Sequence, residues 1–196
     1  NMTLDEQVRV SERAWRAPGS RMFIEVGDRV SVENLLRGMI IQSGNDASVA
    51  LAEHIAGTEA TFAELMNQYA RELGMADTHY TNAAGLPDPE HYSTAADTAR
   101  LVRALIERFP DYYDYYSQRA FTWNDIEQFN RNRMLWQDET VDGVKTGYTE
   151  TAGYCLATSA DRDGMRLISV VMGADNPKAR VEQSKALLNY GYRFFE

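Results

Sequence analysis

A hydroxyl and a carboxamide lie one residue apart in Ser43-Gly44-Asn45, between two predicted helices. A serine can pass on a proton and an asparagine can hold a substrate amide, so the triplet has groups suited to acyl transfer. The same residues also suit an ordinary turn, in which Gly44 allows the bend and Asn45 or Asp46 caps the next helix. By itself the triplet leaves both interpretations open.

The second candidate is Lys145-Thr146-Gly147, which falls on a predicted strand and precedes Tyr148. Lysine supplies positive charge, threonine offers a hydroxyl to a carboxylate, and glycine leaves room for a ligand along the strand edge. The chain has only three lysines, so a lysine in this triplet carries some weight. The structural alternative is a strand whose glycine makes a bulge or lets another backbone approach.

The other chemistry-bearing residues give weaker signals. His54, His79 and His91 lack the spacing of metal ligands, so we predict no metal site. The aromatic run at residues 109–116 has side chains that could line a sugar site, but such a run more often forms a short helix packed on the domain. There is no glycine-rich phosphate loop.

The composition of the chain limits the classes of protein to which it can belong. The 196 residues are 44% hydrophobic and 25% charged, which is typical of a soluble globular protein of one domain. The net charge of −9 argues against a nucleic-acid partner, because such binding is largely electrostatic. No apolar run approaches the roughly 18 residues of a membrane-spanning helix. The single Cys155 excludes an intrachain disulfide and a cysteine-based zinc site.

Hydrophobic periodicity predicts a helical first half. Ser31 is the predicted N-cap of the first helix, and a long loop is predicted at 75–93. The later helices are expected at 45–56, 58–73 and 95–109. The predicted buried positions are Val32, Leu35, Leu36, Met39, Ile40, Val49, Leu51, Ile55, Phe62, Leu65, Met66, Tyr69, Leu101, Val102, Leu105 and Ile106.

The second half is predicted to contain an antiparallel sheet. Strands are expected at 143–148, 152–160 and 165–173, with a turn at 161–164. A final amphipathic helix is predicted at 178–190, burying Val181, Leu187 and Leu188. Helices followed by a meander and a packed helix indicate an α+β domain, with helices packed on an antiparallel sheet.

Taken together, Ser-x-Asn and a Lys-Thr-Gly about a hundred residues later resemble the active-site serine penicillin-recognising enzymes. The flanking residues resemble the low-molecular-mass D-alanyl-D-alanine carboxypeptidases. The likeness extends over the whole chain, from the helix before Ser43 to the closing residues 191–196. Its segments are residues 35–47, Asn130-Arg131-Asn132, residues 135–136, residues 141–147, Ala152-Gly153-Tyr154 and residues 165–168.

The resemblance implies a β-lactamase/transpeptidase-like domain and a serine acyl-transfer reaction without a cofactor. The substrate would be a peptidoglycan stem peptide ending in D-Ala-D-Ala, and β-lactam antibiotics would be inhibitors. The resemblance also implies a periplasmic or other extracytoplasmic location at the cytoplasmic membrane. Membrane contact would come only through a C-terminal region that follows in relatives, and no nucleic acid is implied.

Residue roles follow from the same resemblance. Ser43 would relay a proton to the leaving amine, Asn45 would hold the substrate amide, and Lys145 would supply positive potential beside Ser43. Thr146 would help to bind the terminal carboxylate, and the backbone N–H of Tyr148 would be an oxyanion donor. The implied substrate-binding set is Lys145, Thr146, Gly147, Tyr148, Arg180 on the carboxylate side, and Arg131 near the lysine.

The family's nucleophile lies in Ser-x-x-Lys, and this chain lacks that motif. Asp142, Asp175 and Glu182 stand three residues before the three lysines. We therefore expect residues 1–196 to be a single partial catalytic domain without its N-terminal segment, inactive by itself. Tyr148 also stands where many relatives have histidine.

Two other functions remain open at this point. A non-catalytic fragment that binds stem peptides would explain the missing nucleophile motif. A serine β-lactamase shares the motif geometry, but residues 75–93 contain Glu90 without the Glu-x-x-Leu-Asn pattern of class A enzymes.

Overall fold

The structure, a computed structural model, describes residues 2–195. Asn1 and Glu196, the two ends of the predicted domain, lie outside the described residues. The chain divides into two compact units, each treated by itself below. The first unit comprises Asn1–Gln68, Tyr80–His91 and Gln118–Arg131, and the second comprises Tyr69–His79, Tyr92–Ser117 and Asn132–Glu196. One domain over residues 1–196 stays a prediction.

The first unit is mainly helical, with two small strand pairs. β1 (Gln7–Arg9) and β2 (Arg29–Ser31) pair antiparallel, as do β3 (Ala120–Trp123) and β4 (Ile126–Phe129). The helices are α1 (Glu12–Trp15), α2 (Val32–Arg37), α3 (Asn45–Ala56) and most of α4 (Glu59–Glu72), and a π-helical turn covers Gly38–Gln42.

The predicted helix boundaries in this unit are confirmed closely. Ser31 caps α2 by accepting the N–H of Asn34 at 3.2 Å. The capping assigned to Asn45 or Asp46 is wrong, because Gly44 is the N-cap of α3 and makes no side-chain cap. The side chains of Asn45 and Asp46 bind another segment of the chain instead.

The second unit carries the larger sheet. Its strands are β5 (Val141–Thr149), β6 (Gly153–Arg162) and β7 (Met165–Ala174), antiparallel in the order β5-β6-β7. The three predicted strands are confirmed. β6 extends into the predicted turn, so that only Asp163-Gly164 connects it to β7. The helices are α5 (Ala95–Arg108), α6 (Pro110–Tyr113) and α7 (Pro177–Phe194), with 3₁₀ turns at Asp114–Ser117 and Arg133–Trp136.

Two apolar clusters hold this sheet between helices. Val181 and Leu188 of α7 pack with Leu156 of β6 in one cluster. In the other, Val102 of α5 packs with Val144 of β5. Helices therefore pack on an antiparallel sheet, as predicted. The aromatic run at 109–116 forms short helical turns whose Tyr113 and Tyr116 join the second cluster, which confirms its packing role.

Four residues predicted to be buried are exposed instead. Ile55, Tyr69, Leu101 and Leu187 keep 45%, 61%, 39% and 49% of their surface. In α4 the buried face is formed by Ala63 and Ala70, so the helix approaches its neighbours through small residues. The larger apolar residues of its stripe consequently lie outside the tightest contact.

Candidate active site

Ser43 lies in a strained turn between α2 and α3. It ends the π-helical turn in the left-handed conformation, with φ 63° and ψ 38°. This conformation costs a non-glycine residue about 1 kcal/mol, and π-turns often occur at functional sites. The carbonyl of Gly38 accepts the N–H of Gly44 at 3.0 Å and so closes the turn.

The space around position 44 admits only a glycine. A Cβ atom there would lie 2.8 Å from Asp46 Oδ1 and 3.0 Å from the backbone nitrogen of Met22. Both groups are held in hydrogen bonds, so neither can move away cheaply. The glycine of the triplet therefore lets the segment that contains Met22 reach the turn.

Asn45 is fixed by the same segment, residues 18–24. Its N–H donates to the carbonyl of Ser20 at 2.8 Å, and Nδ2 donates to the carbonyl of Pro18 at 2.6 Å. These bonds orient the carboxamide. Among residues 2–195 no donor is assigned to Oδ1, so this oxygen can accept the N–H of a ligand.

Asp46 is a positioning residue that the sequence reasoning considered only as a helix cap. Its fully buried carboxylate accepts N–H groups from Met22 (2.9 Å), Phe23 (3.0 Å) and Ile24 (3.4 Å). It also accepts the N–H of Ala47 at 2.9 Å. A buried charge needs such compensation.

Two further side chains support this region. Arg131 donates from Nε to the carbonyl of Gln42 at 2.9 Å, directly before Ser43. Buried Gln128 donates from Nε2 to the carbonyl of Met22 at 3.0 Å. The first unit therefore brings Ser43, Asn45 and Arg131 into one hydrogen-bonded region, in which sequence reasoning missed Gln128.

In the second unit, Lys145 and Thr146 lie on β5, an edge strand of its three-stranded sheet. Their positions are set by the antiparallel register, in which Lys145 is opposite Ala157 and Thr146 is opposite Leu156. The ammonium of half-buried Lys145 donates to the carbonyl of Thr146 at 3.0 Å. Charge and hydroxyl therefore occur together on a strand that, within residues 2–195, pairs with β6 alone.

A buried tyrosine and a partly exposed ion pair support the start of β5. The Tyr113 hydroxyl donates to Asp142 at 3.1 Å, and Arg166 donates to the other oxygen of that carboxylate at 2.6 Å. Burial is the main cause that raises the pKa of Tyr113. Burial also raises the pKa of Tyr116 to about 12. These phenols are therefore neutral well above physiological pH.

Arg180 lies at the other end of β5 and contacts its backbone. Nη1 donates to the carbonyls of Gly147 at 3.1 Å and Cys155 at 3.3 Å, which belong to a cross-strand pair. The guanidinium therefore steadies the strand directly before Tyr148. The second unit thus brings together Lys145, Thr146, Gly147, Tyr148 and Arg180.

Comparison with known proteins identifies the family. The sequence profile described as D-alanyl-D-alanine carboxypeptidase, Peptidase S11, matches residues 1–176. The chain belongs to the D-alanyl-D-alanine carboxypeptidase family. The D-alanyl-D-alanine carboxypeptidase DacD of Escherichia coli K12 is 48% identical over 202 residues, covering 99% of this chain and 52% of that protein. The chain therefore spans about half the length of this curated relative.

Solved structures of this family and its neighbours agree. Penicillin-binding protein 5 of Haemophilus influenzae has a TM-score of 0.95 at 45% identity, covering 98% of this chain and 57% of that one. The DD-transpeptidase of Streptomyces K15 has a TM-score of 0.92 at 26% identity, covering 99% and 81%. The α+β, β-lactamase/transpeptidase-like fold class is therefore confirmed.

The described part of this carboxypeptidase-family chain shows no metal site. No group of three or more His, Cys, Asp or Glu residues within 2–195 is placed to hold a metal ion. No helix in that range has the length and hydrophobicity of a membrane span.

Proposed function

We propose that the protein carrying this chain is a serine-type D-Ala-D-Ala carboxypeptidase, which trims the last D-alanine from peptidoglycan stem peptides. The turn at Ser43-Gly44-Asn45 carries the proposal. Its serine is held in a costly conformation, and its carboxamide is fixed with the acceptor oxygen left for a ligand. A turn with no ligand to bind has no need of this arrangement.

The reaction is a two-step acyl transfer. A serine hydroxyl attacks the carbonyl between the two D-alanines, so a C–O bond forms and the C–N bond breaks. The departing amine takes a proton, which Ser43 relays, and water then hydrolyses the ester. The attacking serine is not assigned to any residue of this chain, because none stands in Ser-x-x-Lys.

The other roles are assigned to groups of the substrate. Asn45 Oδ1 accepts a substrate amide N–H, and Lys145 supplies positive potential. The Thr146 hydroxyl binds the terminal carboxylate, and the N–H of Tyr148 donates to the oxyanion. Gly147 leaves the strand edge open to the ligand.

Two arginines complete the proposed binding set. Arg180 adds positive charge on the carboxylate side while it holds β5, and Arg131 supports the turn through Gln42. No cofactor takes part in the proposed reaction. The proposed location is extracytoplasmic at the cytoplasmic membrane, where peptidoglycan precursors and β-lactams are met.

Intact mass spectrometry tests the acyl-enzyme. The full-length protein should gain one benzylpenicillin mass, and the 196-residue chain alone should gain none. Release of D-alanine from a D-Ala-D-Ala peptide should accompany the adduct. Absence of both from the full-length protein would contradict the proposal in favour of a binding fragment. Rapid hydrolysis of penicillin would indicate a β-lactamase.

Matched lysine variants test the site. Lys145→Ala in the full-length protein should lower kcat/KM for D-alanine release by about 100-fold or more, as expected when a preorganised transition-state contact is removed. Lys178→Ala is the control, because this exposed lysine of α7 pairs with Glu182 at 3.5 Å, on the surface of the domain. Equal activity of the two variants would rule out the role of Lys145.

A further inference from the structure

Tyr148 forms one half of an exposed aromatic stack. Its ring and that of Tyr154 are 4.2 Å apart between centroids and inclined by 26°. The two residues are directly opposite each other on β5 and β6. Although Tyr154 covers one face of the ring, Tyr148 keeps 55% of its surface exposed. A flat π surface is therefore presented to solvent.

The stack is held in place from behind. Arg180 lies over the Tyr154 ring at 5.5 Å while it donates to the carbonyls of Gly147 and Cys155. The strand ladder fixes the backbone on both sides of the pair. A ring immobilised in advance loses little entropy when a ligand packs on it.

Exposure of an aromatic stack does not by itself indicate a binding surface. Tyr190 and Phe194 on α7 are also in ring contact, with centroids 4.7 Å apart and planes inclined by 42°, and Tyr190 is 59% exposed. That pair follows from helical spacing, because the residues are four positions apart. Tyr148 differs because it follows Lys145-Thr146-Gly147 on the open edge of the sheet.

The order of groups along β5 says which part of a ligand meets this ring, given the proposed function. Thr146 is assigned to the terminal carboxylate and the Tyr148 N–H to the reacting carbonyl. A ligand with its carboxylate at Thr146 and its reacting carbonyl at Tyr148 runs along the strand edge from the first residue to the second. Beyond the carbonyl, in the same direction, comes the acyl side group.

We propose that the outer face of the Tyr148 ring, backed by Tyr154, binds the acyl side group of the ligand and favours a flat, apolar or aromatic group. Aromatic pairs prefer offset or edge contacts with centroids about 4.5–7 Å apart, and an exposed ring face permits both. Tyr148 thereby determines specificity with its side chain, in addition to the backbone role proposed above.

Paired ligands that differ only in this group test the proposal. Binding of phenylacetyl and acetyl D-Ala-D-Ala analogues, with a non-cleavable link in place of the scissile amide, to the full-length protein is measured by calorimetry. Tyr148→Ala should weaken binding of the phenylacetyl peptide by about tenfold and binding of the acetyl peptide by less than about twofold. Tyr148→Phe should keep the wild-type preference, because it keeps the ring.

The control is Tyr190→Ala, which removes an exposed tyrosine in ring contact with Phe194 of the same unit and should change neither Kd. Equal weakening of both peptides by Tyr148→Ala, or no weakening, would overturn the proposal. Acylation by benzylpenicillin is measured separately. If the protein discriminates between the peptides but forms no acyl-enzyme, the proposed reaction fails and the aromatic surface stands.

Discussion

The Ser43 turn and the Lys145 strand position their chemistry in different ways. The backbone of the turn is irregular, and residues 43–45 alone cannot hold it in this conformation. Its geometry depends on a distant segment, in which Met22, Phe23 and Ile24 donate their N–H groups to the carboxylate of Asp46. The strand needs no such single support, because its ladder repeats from Val141 to Thr149.

This difference has an energetic consequence. In the turn, one side chain satisfies several buried N–H groups, so its loss leaves them unpaired at once. In β5, each residue pair is supported by the adjacent pairs of the ladder, such as Gly147 opposite Cys155. Loss of one contact therefore leaves the others in place. Single substitutions should therefore damage the turn more than the strand.

The strongest test of this comparison is Asp46→Asn. The change keeps size but replaces one acceptor oxygen with an NH₂ group that faces backbone N–H donors. Each unsatisfied buried group costs about 1–3 kcal/mol, so we expect a loss of about 3 kcal/mol or more in urea unfolding. Amide exchange at Met22 and Phe23 should also accelerate.

Asp28→Asn is the matched control, because Asp28 accepts one N–H, from Glu25 at 2.9 Å. It should cost about 1 kcal/mol or less. If the two substitutions destabilise the protein equally, the turn does not depend specially on its buried carboxylate.

The second test uses pH and concerns the second unit. Burial raises the pKa of Tyr116 to about 12, against the ordinary value of 10.0. Well below pH 10, this group is protonated in both the folded and the unfolded chain. As pH rises from about 10 to 12, the unfolded chain loses the proton first, so this tyrosine should contribute a loss of about 2–3 kcal/mol.

Urea unfolding at several alkaline pH values measures this loss. Tyr116→Phe keeps the ring and should make the pH dependence shallower than that of the wild type. Tyr112→Phe, at an exposed neighbour, should leave the slope unchanged. An identical slope for Tyr116→Phe and wild type would contradict the burial of this phenol against β5.

The smallest expected effect concerns Arg180. Arg180→Ala removes the donor to Gly147 and Cys155 but leaves the strand ladder intact. We therefore expect a loss of about 1 kcal/mol in urea unfolding, with faster amide exchange confined to the end of β5. Arg193→Ala, another arginine of α7, should have no effect on that exchange. A loss as large as that of Asp46→Asn would reverse the comparison.

Much of the architecture was predictable because it depends on local pattern. The apolar period and Ser31 set the helix boundaries, and strand-like segments joined by a turn at 161–164 predicted the large sheet. The short pairs were not predictable, since β1 has 3 residues and β3 has 4, too few to show a period. The prediction of burial was also wrong for surface apolar residues such as Leu187. Hydrophobic periodicity does not show how far a neighbouring element extends over the face of a helix.

The sequence by itself determined the motifs, their order and the family they resemble, since residue types and spacing are local information. Only the tertiary structure decided what holds those motifs. Asp46 meets Met22 across 24 residues, and Arg180 meets Gly147 across 33. Such contacts depend on how distant segments converge. Asp46, which was predicted as a helix cap, is therefore a buried acceptor that fixes a distant segment. Arg180, which was predicted to bind a ligand, contacts the backbone of the large sheet.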